Sequence, residues 1–152
     1  MLEKQFETKV VTDISKEKLW EFFSDIENLT VWNPNFSKYN CSCSSDDHHS
    51  NLFMHFDLDR NVLGSFKIQE IEREDGKRLK FSVENILYPN RNYNNFEFVF
   101  DEQDITFIRY LNFSVFDTTK YAYWYKHFKE HHDSIIASLE KLTIKDGIIC
   151  KE

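Results

Sequence analysis

The sequence predicts an α+β protein: a curved antiparallel sheet of about seven strands wrapped around a long C-terminal helix, with one or two short helices after strand 1. Three observations carry that expectation. Tyr121, Trp124, Tyr125, Phe128, Ile135, Leu139 and Leu142 recur at i, i+3, i+4 and i+7 spacing, one apolar stripe on a helix over 118–142. At 1.5 Å per residue it would span ~37 Å, enough to cross a small domain. Segments of period two occupy 5–14 and most of 37–115, broken by turn residues. A meander of that kind with one amphipathic helix buries both apolar faces most simply when the sheet curls around the helix.

Residues 5–14 set Phe6, Thr8, Val10, Thr12 and Ile14 on one face, against Glu7, Lys9 and Asp13. Ser15 is the N-cap of a helix over 16–25 that turns Leu19, Trp20, Phe23 and Ile26 inward. A second helical piece over 26–31 ends at Trp32-Asn33-Pro34-Asn35, because the residue before proline disfavours helix. Tyr39, Cys41 and Cys43 alternate next, followed by a polar loop over 44–50 and an alternating run over 52–58. A strand over 62–74 ends at Asp75-Gly76, a hairpin signal, and 78–86 returns with Leu79, Phe81 and Val83 inward. After an Asn-rich loop, Phe96, Phe98 and Phe100 alternate with Asn95, Glu97 and Val99. A turn over 101–104 leads to the last strand, 105–115, with Ile105, Phe107, Leu111, Phe113 and Val115 inward; Asp117 or Thr118 caps the helix.

The chain of 152 residues reads as one domain, 1–152, with no internal repeat, linker or low-complexity segment. Aromatic content is 16%, with 15 Phe, which fills a large interior or lines a cavity. The net charge of −7 and the lack of a basic stripe argue against nucleic acid and against an anionic membrane surface. No apolar run reaches the ~20 residues that cross a bilayer, so no integral membrane association is expected. Cys41, Cys43 and Cys150 make no disulfide framework, and with no signal peptide evident the expected setting is the reducing cytoplasm. A monomer or homodimer is expected.

The opening FETKVVTDISKEKLWEFFSDIENLTVWNPNF, with its first strand, the Trp20-Glu21-Phe22-Phe23-x-Asp25 segment and the Trp32-x-Pro34 break, together with the closing aromatic helix, resembles the START-like, or SRPBCC, superfamily. That group includes birch-pollen-allergen-like and polyketide cyclase/dehydrase-like proteins, and nearly the whole chain fits its order of elements. The resemblance implies a helix-grip fold with a cavity between sheet and helix, usually holding an apolar small molecule or lipid.

Arg109 stands between Phe107 and Leu111 on the apolar face of the last strand, so a guanidinium is expected inside the domain. A buried charge needs a partner. It either grips a ligand carboxylate or carbonyl, or forms an internal ion pair with Glu70 or Glu72; a bulge would instead turn it outward. His132 follows Phe128 by four on the helix stripe and is either a ligand donor, an acid–base group or a hydrogen-bonded core histidine. Tyr110 and Tyr125 could add hydroxyls. His127 and His131, an i, i+4 pair, read as a solvated face, and His48 and His49 as loop residues. The 57–61 segment imitates a calcium loop but lacks its Gly and Glu. Cys41 and Cys43 share one strand face without further zinc ligands. No nucleophile elbow, phosphate loop or dinucleotide fingerprint occurs among three glycines, so neither a cofactor nor a metal is expected.

The leading expectation is a non-catalytic protein that binds a small hydrophobic or amphipathic ligand, lipid-like or aromatic. Arg109 and His132 would orient it in a cavity lined by Phe66, Phe81, Phe96, Phe98, Phe107, Phe113, Trp124, Tyr125 and Phe128. Two alternatives stay open. One is a cyclase/dehydratase-like enzyme using His132 as acid or base; the other is a co-chaperone-like interaction module whose phenylalanines fill the cavity.

Overall fold

A computed structural model describes residues 3–38, 50–56, 62–85, 94–112 and 121–152. Seven strands form one antiparallel sheet: β1 (Glu3–Val11), β2 (Phe36–Lys38), β3 (Ser50–Phe56), β4 (Val62–Glu74), β5 (Arg78–Asn85), β6 (Asn94–Phe100) and β7 (Asp104–Asn112). Their order is β1-β7-β6-β5-β4-β3-β2, so strands consecutive from β2 onward are neighbours, while β1 closes against the last strand. β1 and β2 are thus opposite edges. The chain between them carries α1 (Lys16–Ser24), a 3₁₀ turn (Ile26–Asn28) and α2 (Leu29–Trp32), and the long helix α3 (Tyr121–Glu140) follows β7.

Local chemistry explains the short elements. The Ser15 hydroxyl accepts from Lys18 N at 3.3 Å, capping α1 as expected, and Asp25 accepts from Glu27 N at 3.0 Å to start the 3₁₀ turn. Asn33 accepts from Asn35 N at 3.1 Å, which fixes the break before β2. Leu19, Phe23 and Ile26 are buried as expected; Phe22 joins them, while Trp20 is partly buried edge-on to Phe100. Irregularities at His55/Phe56 in β3 and Glu70/Glu72 in β4 add bend to that half of the sheet. Phe6, Val10 and Ile14, then Leu79, Phe81 and Val83, then Phe96, Phe98 and Phe100, are buried in the expected parity. Phe53 of β3 is fully buried and pairs with Phe66.

The end of the chain departs from the expectation. The helix stops at Glu140, and Leu142 belongs to β8 (Leu142–Lys145), which pairs with β9 (Ile148–Lys151) in a separate two-stranded sheet. Asp146 and Gly147 turn the hairpin with φ of 53° and 77°, the left-handed pair that an Asp-Gly type I′ turn requires. Leu142 extends the apolar stripe by i+3 from Leu139, so helical spacing masks the strand. The expected strand around Cys41 and Cys43, the loop histidines, the 57–61 segment, Phe113, Val115 and the helix cap lie outside the described residues.

Candidate functional site

Aromatic rings fill much of the space between α1–α2 and the sheet. Phe98 lies 4.4 Å from Phe23, 5.0 Å from Trp32 and 5.1 Å from Phe107, centroid to centroid. Phe81 stacks on Phe96 at 5.0 Å, and Phe36 meets Phe66 edge-on at 6.0 Å. The spacings suit tilted and edge-to-face rings. Phe66, Phe81, Phe98 and Phe107 are therefore wall residues that touch other rings.

The polar end of this interior is built by β7, β1 and α3. Ile105, Phe107, Arg109 and Leu111 are buried on β7 at period two, so Arg109 does face inward, 4% exposed, between Phe6 of β1 and Phe96 of β6 in register. Its guanidinium carbon lies 5.7 Å from the centre of the Phe128 ring on α3, a cation–π arrangement. One turn further along α3, His132 is 1% exposed and lies parallel to Phe107, centroids 5.4 Å apart. Thr8 Oγ1 and His132 Nε2 are 2.8 Å apart, in hydrogen-bond contact. His132 Nδ1 has no hydrogen-bond partner among the described residues. Burial first, and then the Arg109 charge, with Lys129 adding to it and Asp133 opposing, pull the His132 pKa down to about 4. The imidazole is neutral at neutral pH.

Phe128 is buried, whereas Tyr125 is 38% exposed and meets Phe6 edge-on at 5.4 Å. Trp124 lies on α3, with its side chain outside the described residues, as is Phe113. Glu70 and Glu72, the ion-pair candidates for Arg109, hold Arg73 at 2.7 Å and Arg78 at 3.2 Å.

Two expectations are corrected. Tyr110 faces the outer side of the sheet, where its hydroxyl donates to Glu97 Oε1 at 2.8 Å, because it alternates with Arg109. His131 is 2% exposed, not solvated, and its ring lies 4.2 Å from that of His127; the buried stripe of α3 is wider than a narrow i, i+4 seam and also takes in Ile136 and Ser138. The residue that sequence reasoning left without a role is Thr8. Its period-two place beside Phe6 was the available signal, and the β1–β7 closure brings it under α3.

A separate cleft of about 330 Å³ lies beyond the C-terminal end of α3, lined by residues including Val11, Asp13, Ile14, Leu139, Leu142 and Ile144. Leu139 is seven positions past His132, ~10 Å along the helix, so this cleft is not the polar end. Among the described residues no group of three His, Cys, Asp or Glu side chains could hold a metal ion. Nor is any described helix long and apolar enough to cross a membrane.

No family model matches the chain, and no curated protein matches it either. Solved structures do. Protein Ms6760 from Mycobacterium smegmatis is similar with a TM-score of 0.60 at 9% identity, over 90% of this chain and 88% of that one. ChR145 from Cytophaga hutchinsonii gives 0.57 at 15% identity, over 93% and 92%. The di-domain ARO/CYC BexL from the BE-7585A biosynthetic pathway gives 0.58 at 8% identity, with 91% of this chain covering 49% of that one, so this chain spans about half its length. At such identities the likeness is one of fold, and the fold is that of a helix-grip α+β protein.

Proposed function

We propose that this protein binds a small amphipathic ligand whose polar head docks at Arg109 and His132 and whose apolar body lies against the aromatic wall. The observation that carries this reading is a buried guanidinium on β7 and a buried imidazole on α3, each against a phenylalanine ring. A few convergent polar groups in an apolar interior are the usual composition of a ligand site. Thr8 orients the imidazole and leaves Nδ1 for the ligand. Apolar burial would drive association at roughly 25 cal/mol per Å², and the polar pair would set orientation.

Catalysis is the weaker reading. A His132 pKa of about 4 makes it a poor base at neutral pH, and a hydroxyl orients it where a carboxylate would strengthen it. Native mass spectrometry of the purified protein, followed by denaturing extraction, tests the proposal. An amphipathic molecule should leave with the wild-type protein and be depleted from Arg109→Met. A clean mass, with no uptake from a panel of fatty acids and aromatic amphiphiles, would contradict it and favour the interaction module.

A further inference from the structure

We propose that the cleft at the end of α3 is a second binding site, separate from the polar end of the interior, and that it takes a small organic ammonium ion. This site uses neither Arg109 nor His132.

The cleft, of about 330 Å³, is lined by the exit of β1, the last turn of α3 and β8. Its walls are fixed by the protein's own hydrogen bonds. Thr12 N donates to Gln103 O at 3.1 Å, and Thr12 Oγ1 accepts from Ile14 N at 3.1 Å. Lys141 N donates to Ser138 O at 3.1 Å and Glu152 N to Lys141 O at 2.9 Å, which ties the end of α3 to the open end of the β8–β9 hairpin. The space is thus preformed, with a volume at the lower end of the range for small-ligand sites. Part of its lining belongs to the core: Ile14 and Leu139 are buried in the main apolar cluster, and Leu142 packs against it. Val11 and Ile144 line the same cleft and are exposed. Single exposed apolar side chains are ordinary on a surface, but these two share one concave, partly apolar site. A ligand's apolar body laid there takes both from water.

The charge of the lining selects the ligand. Asp13 comes from the exit of β1 and Glu140 from the last position of α3, and no described Lys, Arg or His lines the cleft. Neither carboxylate has an ion pair among the described residues. Lys141 and Lys145 are close in sequence but stand outside the lining. The last turn of α3 carries no basic side chain, so the partial negative charge of its carbonyl end adds to that of the two carboxylates. The cleft therefore favours a cation and disfavours an anion. A bare metal ion would leave the apolar lining in water, and no group of three metal-ligating side chains exists among the described residues. An ammonium group on an apolar body matches both halves of the lining.

The experiment titrates phenethylamine into ¹⁵N-labelled protein at low ionic strength and follows the backbone amides, with 2-phenylethanol and phenylacetate as neutral and anionic analogues. Phenethylamine should shift the amides of residues 11–14 and 139–144 saturably, with a Kd on the order of 1 mM. The alcohol should bind about fivefold more weakly, and phenylacetate more weakly still. Methylammonium, which lacks the apolar body, should leave these amides unmoved at the same concentration. The double variant Asp13→Asn, Glu140→Gln should lose the preference for the amine over the alcohol, and raising the salt to about 0.5 M should shrink it in wild type. Both carboxylates are exposed, so the variant should keep its fold, which circular dichroism verifies. Three results would overturn the site: no saturable shift at these amides, equal binding of amine and alcohol, or a preference that survives in the double variant. Shifts confined to the surroundings of Arg109 and His132 would do the same.

Discussion

Thr8 Oγ1 and His132 Nε2, 124 positions apart in the sequence, lie 2.8 Å from each other and join the edge strand β1 to the middle of α3. The contact fixes which face of the imidazole meets the sheet and which nitrogen remains for the interior. Removing the hydroxyl leaves a buried ring nitrogen without its partner. Thr8→Val should therefore lower stability by about 1–3 kcal/mol, and Thr8→Ser by much less. Urea unfolding should show a lower midpoint with an unchanged slope; an unaltered midpoint would mean that the hydroxyl does not hold the ring.

The same imidazole makes stability depend on pH. Its folded pKa, about 4, lies below the ordinary 6.5, so the unfolded chain binds more protons between those values. Stability contributed by the neutral ring is complete above about pH 6.5 and is lost as pH falls towards 4. The loss attributable to this group is on the order of 3 kcal/mol at most. His132→Gln should flatten that part of the acid limb. A variant that keeps the wild-type slope would place the acid sensitivity elsewhere.

On the outer face of the sheet Glu97 is 3% exposed, taking a hydrogen bond from Tyr110 and an ion pair from Arg78 Nη1 at 3.1 Å. Partial burial, and then the bond and charge of Glu97, raise the Tyr110 pKa to about 12. Tyr110 thus contributes stability that is complete below about pH 10 and lost as pH rises towards 12. Glu97→Gln should lower this pKa only part of the way to 10, because burial remains. Tyrosinate titration by ultraviolet absorbance, with Tyr110→Phe identifying the step, measures it.

Phe98 is fully buried against Phe23, Trp32 and Phe107. Phe98→Ala should cost about 3–5 kcal/mol, the range for large cavities in rigid cores. A smaller cost, with a new dye-binding site, would mean that the surrounding rings line open space.

How much of this was legible in the sequence follows from which signals are local. Period two fixed the parity of Phe6, Phe81, Phe98 and Arg109, because each strand has one buried face and a slip would expose all of it. Helical spacing placed Phe128 and His132 on one stripe. Thr8 could be put on the inward face of β1, but its partner could not be named, since the contact arises from closure of β1 on β7 and the crossing of α3. Glu97 occupies a solvent-side position in the alternation. What the alternation does not show is that Arg78 and Tyr110 reach it from beside its neighbours in register, Lys80 and Ile108. The terminal hairpin carried an Asp146-Gly147 signal as strong as Asp75-Gly76, yet Leu142 in phase with the helix concealed the strand before it.

The most direct test of the central claim is to follow the ring nitrogens of His132 by long-range ¹⁵N–¹H spectroscopy while anilinonaphthalene sulfonate is added. Docking of the polar head should shift the Nδ1 resonance and the Arg109 side-chain signals together, while Nε2 stays in contact with Thr8. Changes confined to Val11, Leu142 and Ile144 around the outer cleft, with His132 and Arg109 unmoved, would contradict it.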